Sequence, residues 1–404
     1  MTAENFEPRW VTEIDVSDSF TDLTAPERTG KPYKWARALL RDGSEPLVFI
    51  DLALDEDGVI KGPDLERVVG EKLARHRGPA KQPGAEPEQP GLITVVICTH
   101  DRPELIGVAI DSILGGDDDD FELLIVDNAP SSDATAQVVA SREHERLRYV
   151  VEPLASLSRA RNRGALEARG EFIAFTDDDV RIDPQWLRAL RRGFARAPHV
   201  GLVSGLVPAL ELETPAQLYF DRRVNWSSWL EPVLFDMDAH KSSDPMYPYS
   251  AGRFGTGANF ATRRDVWLEI GGNDEVLGPG VMGEDLDYFL RVILNGNAIA
   301  YEPSAIVWHV HRRDTDGLKR QMRQYGVALG AYTTKHILSR NGPRIIARVP
   351  RALMRIRRDS KRAVEATEEN VDLRRLELYG LVQGPWRYLA RRLSRKVRRK
   401  RSLI

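Results

Sequence analysis

A single cysteine, Cys98, stands in a chain of 404 residues. That excludes an internal disulfide and any metal site built on several thiolates, and it fits a reducing compartment. No run approaches the roughly 20 apolar residues that span a bilayer. The start, Met1 to Trp10, has neither a basic cluster nor an apolar signal core. Neither export nor a membrane span is expected. A glycine-rich phosphate loop is missing as well. The first strand after the linker described below leads into Thr99-His-Asp-Arg-Pro103, without the glycines that nucleotidyl transfer would want. Gly255-Thr-Gly257 does not follow a clear strand and open a helix, so it reads as a tight turn and not a dinucleotide fingerprint.

What is present fits a soluble globular protein of two or three domains, with 42% hydrophobic and 29% charged residues. The net charge of −2 hides an asymmetry. Arg340 to Ile404 carries 20 basic and 6 acidic residues, and Trp386 to Ile404 carries nine basic residues and no acid. The tail is therefore expected to do a different job from the body.

Residues 1–77 read as a small, β-rich α+β appendage. Pro46 to Ala53 is a strand, Asp55 to Gly58 its hairpin turn, and Leu65 to Leu73 a helix. The Pro/Gly-rich stretch 78–91 is a linker. From Leu92 the texture alternates. Strands are expected at Leu92–Cys98, Phe121–Val126, Leu147–Val151 and Glu171–Thr176. Helices are expected at Pro103–Leu114, Ala134–Arg142 and Ser156–Arg169, and another after Asp183, with Asp183 as N-cap and Pro184 first in the helix. This order predicts an α/β fold with a doubly wound, mainly parallel sheet over residues 92–317. Residues 318–404 form a helical, basic region, with helices at Leu318–Leu338, Arg344–Arg358, Asp372–Leu381 and Trp386–Val397. In the last of these, Trp386, Leu389, Leu393 and Val397 make one apolar face on a basic helix.

Ligands of such sheets sit beyond the carboxyl ends of the strands. Those ends carry Thr99 to Arg102, Asp127 and Asn128, and Asp177-Asp178-Asp179. Three carboxylates at a buried strand end repel one another unless a cation or proton compensates, and hard oxygen ligands suit Mg or Mn. The alternative is a solvated acidic turn that caps the following helix, a task already expected of Asp183. Asp117 to Asp120 precedes a strand and reads as a solvated loop. A second acidic pair, Glu284-Asp285, stands 106 positions after Asp179. It reads equally as a base for proton transfer or as the acidic first turn of a helix. Trp226, Trp229 and Tyr247 to Tyr249 read as plain packing or as stacking platforms for sugar rings.

The runs Val95-Val-Ile-Cys-Thr-His-Asp-Arg-Pro, Ile125-Val-Asp-Asn, Ala160-Arg-Asn-Arg-Gly, Phe175-Thr-Asp-Asp-Asp, Gly255-Thr-Gly-Ala-Asn-Phe and Gly283-Glu-Asp-Leu-Asp, followed by Arg291, resemble glycosyltransferase family 2 in order and spacing. The resemblance covers roughly residues 92–315. It implies the GT-A fold and metal-dependent, inverting transfer of a hexosyl or deoxyhexosyl group from a nucleotide-diphosphate sugar. The acceptor it suggests is a glycan or lipid-linked sugar of the cell envelope. It implies that Thr99, Arg102, Asp127, Arg161, Asn162, Asp177 and Asp178 bind the nucleotide sugar. Asp177, Asp179 and His309 would hold Mn or Mg, with His311 an open alternative to His309. Asp285 would be the catalytic base, and Glu284 would hold the acceptor hydroxyl. The expected location is cytoplasmic and peripheral to the inner face of the plasma membrane. Residues 386–404 are expected to meet an anionic surface and no nucleic acid, since the aromatic interleaving of single-strand platforms is sparse there. A nucleotidyltransferase and a non-catalytic sugar- or lipid-binding scaffold are the competing readings.

Overall fold

A computed structural model describes residues 6–75, 88–224, 229–278, 281–351 and 368–401. The chain opens with β1 (Arg9–Asp15), β2 (Leu23–Thr24), β3 (Trp35–Asp42), β4 (Glu45–Ala53), β5 (Val59–Ile60) and α1 (Gly62–Arg75). The main domain follows with β6 (Ile93–Thr99), α2 (Pro103–Leu114), β7 (Phe121–Asn128), α3 (Ala134–Ala140), β8 (Leu147–Glu152), α4 (Leu157–Glu167) and β9 (Phe172–Thr176). Then come β10 (Val180–Ile182), α5 (Trp186–Ala195), β11 (Val200–Leu206), α6 (Pro215–Val224), β12 (Val233–Phe235), β13 (Asn259–Arg263) and α7 (Arg264–Ile270). Last are α8 (Glu284–Leu294), β14 (Ala298–His309), α9 (Thr315–Ile337), α10 (Gly342–Ile346) and α11 (Glu368–Arg401).

β6 shows why a sheet forms. Its residues alternate between two cores, with Ile93, Val95 and Ile97 in one and Val96 in the other. A strand buried on both faces belongs at the centre of a helix-covered sheet. The nine-stranded sheet has the order β10-β14-β11-β13-β9-β6-β7-β8, with β12 on β14. β6 is parallel to β7 and β9, β7 to β8, and β11 to β14. β13 runs antiparallel between β9 and β11. The expected mixed α/β class with a mostly parallel central sheet is what forms.

The N-terminal strands make a separate sheet, β1-β3-β4. The hairpin partner of β4 lies upstream, across Gly43, not beyond Asp55–Gly58; that turn leads instead into β5, which pairs with β2. Leu39 joins Leu206, Ile306 and Trp308 in one cluster, so the small sheet packs on the large one. Residues 78–87 of the expected linker lie outside the described residues. Of its remainder, Gln89 donates its N–H to the Arg191 carbonyl at 3.1 Å.

Two acidic positions depart from expectation. Asp118 is not solvated; it is buried and pairs with Arg191 at 2.7 Å, because that guanidinium is itself buried under the loop and needs a counter-charge. Asp183 does not cap α5, which starts at Trp186. Its carboxylate accepts the Gln185 N–H at 2.9 Å and pairs with Arg41 of β3 at 2.7 Å.

The C-terminal helices also differ. α10 ends at Ile346, well short of Arg358, and 352–358 lie outside the described residues. The two helices expected at Asp372–Leu381 and Trp386–Val397 are one, α11, with Pro385 inside it. α11 runs in the same direction as α9 and touches it backbone to backbone. A Cβ on Gly326 would overlap the Glu377 carbonyl oxygen, and one on Gly330 that of Leu381; Gly380 and Gly384 are equally tight against Arg323 and Val327. In an unconstrained helix Gly326→Ala would stabilise by up to about 1 kcal/mol. Here it is expected to destabilise by about 1–3 kcal/mol, read as a lower urea midpoint, because a backbone carbonyl cannot step aside.

Candidate active site

Register brings the polar strand ends together. Thr99 pairs with Asp127 across β6 and β7, and Ile97 pairs with Thr176 of β9, so Thr99 lies level with Asp178. The Thr99 hydroxyl donates to Asp178 Oδ2 at 2.7 Å. Arg102, just before α2, forks between two carboxylates, donating to Asp178 Oδ1 at 2.6 Å and Asp179 Oδ2 at 2.7 Å. Val180 pairs with His309 across β10 and β14, which sets the imidazole beside the acidic run.

His309 Nε2 is 3.2 Å from Asp179 Oδ1 and 3.8 Å from Asp177 Oδ2. One ligand atom each from Asp177, Asp179 and His309 can lie within 4.8 Å of the others. Burial pushes Asp177 up, Arg161 opposes this, and Asp179 adds to the rise; burial also lifts Asp178 to about 6. Burial would raise Asp179 too, but the hydrogen bond and charge of His309 and the Arg102 guanidinium outweigh it and hold it well below the usual range. His309 is raised: burial opposes its charge, and Asp179 and Asp177 prevail. Two carboxylate oxygens and one imidazole nitrogen, in a site with more acid than base, suit a hard divalent cation such as Mn or Mg. His311 is turned elsewhere, buried edge-on against Phe220 and 3.9 Å from Asp221.

The second acidic pair opens α8. Asp285 is half-buried and both its oxygens accept backbone N–H groups, Gly257 to Oδ2 at 2.9 Å and Leu286 to Oδ1 at 2.8 Å. The Gly255–Gly257 turn therefore aims a carboxylate. Glu284 is buried against Arg161, Nη1 to Oε1 at 3.0 Å; its burial outweighs that guanidinium and raises its pKa to about 7. Arg161 also donates from Nη2 to the Gly257 carbonyl at 2.9 Å and lies 3.7 Å from Asp177. One buried guanidinium thus stands between the two acidic groups.

The remaining positions fall out as follows. Asp127 is buried at the end of β7; one oxygen accepts the Tyr149 hydroxyl at 2.7 Å, the other has no hydrogen-bond partner among the described residues, and burial raises its pKa. Asn162 is not brought to the acidic groups: its amide donates to the Asn273 carbonyl at 3.0 Å and accepts the Asn273 N–H at 2.8 Å. Tyr247 and Tyr249 are buried and Trp229 packs on Phe235 and Tyr301, so these aromatics build core; Trp226 lies outside the described residues. Sequence reasoning missed Lys335 and His336 of α9, which close on buried Asp287 at 2.6 and 3.0 Å. Only their place in the last turn of a helix hinted at any charge role.

The glycosyl transferase family 2 model matches residues 94–256. A pre-mycofactocin glycosyltransferase of Mycobacterium tuberculosis is 29% identical over 178 residues, 44% of this chain and 35% of that protein. A glucosyl-dolichyl phosphate glucuronosyltransferase of Haloferax volcanii is 26% identical over 227 residues, 54% of this chain and 68% of that protein. The chain thus spans about a third of the first relative's length. A solved mannosyltransferase, PcManGT from Pyrobaculum calidifontis in complex with GDP-Man and Mn2+, aligns over 82% of this chain and 81% of that one, at 17% identity and a TM-score of 0.46.

Removing Arg161 would strand Glu284 in the interior and take the compensating charge from half-buried Asp177. Arg161→Ala is expected to cost about 3–5 kcal/mol, measured by chemical denaturation. Arg161→Lys should recover only part of this, since one ammonium cannot reproduce the fork between Glu284 and the Gly257 carbonyl.

Proposed function

We propose, from the match of residues 94–256 to the glycosyl transferase family 2 model, that the chain moves a sugar from a nucleotide-diphosphate donor to a hydroxyl of a glycan or lipid-linked acceptor, with inversion. The observation that carries this reading is the bridge made by Arg161, which sets a cation-binding acidic group opposite a second, oriented carboxylate.

The residues divide the work. Asp127 meets the base of the nucleotide, while Thr99 and Arg102 line its pocket. Asp177, Asp179 and His309 would hold Mn or Mg, which when bound supplies charge stabilisation for the departing diphosphate. Asp285 takes the proton of the attacking hydroxyl as its oxygen bonds to the anomeric carbon. The sugar–phosphate bond breaks on the other side. Attack from the face opposite the leaving group inverts that carbon, by analogy with inverting glycosidases. The Gly257 and Leu286 N–H groups fix the direction of the carboxylate. Glu284, immobilised on Arg161, is placed to hold the acceptor.

The two halves can be tested apart. Asp179→Ala is expected to abolish the thermal stabilisation that UDP, GDP or dTDP gives in the presence of Mn; stabilisation equal to the parent's would remove Asp179 as a ligand. Asp285→Asn should keep that stabilisation, while sugar transfer falls by about 10²–10⁴-fold, the share of a positioned base. Transfer at the parent rate would remove Asp285 from that role.

A further inference from the structure

The outward side of α11 is apolar although nothing among the described residues covers it. Trp386 is 72% exposed, Val382 66%, Leu393 64%, Leu378 61% and Tyr379 56%. Leu378, Val382, Trp386 and Leu393 stand at i, i+4, i+8 and i+15, one line along a helix of 3.6 residues per turn, and half-buried Leu389 continues it. The opposite side, with Leu373, Gly380, Gly384 and Tyr388, is the one buried in the molecule. A surface helix normally gives water its polar face; this one has apolar residues inward and outward. Arg374 and Arg392 border the outward stripe along one edge, both exposed. Acids are sparse: between Asp372 and Arg395 the only further one is Glu377, held by Arg223 at 2.8 Å.

We propose that this face of α11 lies in the interface of an anionic lipid bilayer. The stripe would sit among the acyl chains and the flanking arginines would reach the headgroups. Charge decides the occupant. Two copies meeting stripe to stripe would bring like-charged borders together, whereas an anionic surface is complementary to them. The helix lies on the membrane and does not cross it: among the described residues none is long and apolar enough to span. The docking face also differs from the sequence reading of the tail. It begins at Leu378 and not at Trp386, and it lies on a helix packed along α9.

The site and this face are close. Gly283, which precedes Glu284, abuts Ala328 of α9, and α9 packs on α11. Two helix layers, about 20 Å, separate Asp285 from the stripe. A sugar on a membrane-embedded carrier lies within that reach, which narrows the acceptor to a lipid-linked one. That last step rests on the transfer reading above; the docking itself does not.

Sedimentation with vesicles tests the docking without any sugar chemistry. The full chain should pellet with 1:1 phosphatidylglycerol–phosphatidylcholine vesicles and far less with phosphatidylcholine alone. The triple variant Val382→Asp, Trp386→Asp, Leu393→Asp should lose roughly tenfold or more of that binding. All three side chains are exposed, so its melting temperature should match the parent's, and this is checked in parallel. Trp386→Phe should keep the binding and remove the blue shift in fluorescence that vesicles cause. A parent that stays in the supernatant, or a triple variant that pellets equally well, overturns the proposal. So does a parent dimer that the triple variant disperses, since a second copy would then be the occupant.

Discussion

Arg161 is a guanidinium buried among carboxylates, and the site exists because it is there. Asp177, Asp178, Asp179, Glu284 and Asp285 converge from the end of β9 and the start of α8, and burying so much negative charge unaided would be prohibitive. α4 delivers the compensating cation. It can approach closely because Gly164, one turn after Arg161, lies directly on Val96 of β6, where any side chain would overlap. The fork then spends its donors on Glu284 and the Gly257 carbonyl and still lies near Asp177. Compensation is incomplete, however. Glu284, Asp177 and Asp178 all remain shifted upward. The protein alone does not stabilise every one of these charges, and the divalent cation proposed above would offset that deficit.

How far this could be read from residues depended on the range of the interaction. Short β-branched runs with polar ends mark parallel strands locally, so β6, β7, β8 and β9 and the residues at their tips were legible. Arg161 was visible only as part of a family-like run. Its bridging role needs α4, β9 and α8 in register, which no local pattern encodes. The two acidic runs make the same point. Asp117 to Asp120 looked solvated because it precedes a strand, yet Arg191, some seventy residues on, buries Asp118. Likewise Asp183 had every mark of a helix cap and instead became the anchor of an arginine from another sheet.

The continuity of α11 through Gly384-Pro385 is the clearest case of tertiary structure overriding a breaker signal. Proline at 385 deprives the Leu381 carbonyl of its helical donor. That carbonyl is the one against which Gly330 of α9 packs, so it meets the Cα hydrogens of a glycine and not an empty interior. Gly326 and Gly330 on one helix, with Gly380 and Gly384 on the other, let the backbones close. The contact then fixes a helix whose own sequence argues for interruption.

α8 ties these two halves together. Its first residues, Glu284 and Asp285, belong to the acidic site around Arg161, while Asp287 less than one turn later is fully buried and accepts Arg291 at 2.8 Å, Lys335 at 2.6 Å and His336 at 3.0 Å. Burial alone would raise Asp287, but Arg291, His336 and Lys335 outweigh it and keep it ionised far below the usual range. An ionised buried carboxylate held from three sides cannot shift without breaking several charge-assisted bonds at once. Two of those three partners belong to α9, the helix that carries α11. The start of α8, which carries Asp285, is thus tied through Asp287 to the same helix that positions the exposed apolar stripe. The chemistry proposed for the start of α8 and the attachment proposed for α11 would consequently belong to one packed unit of α8, α9 and α11.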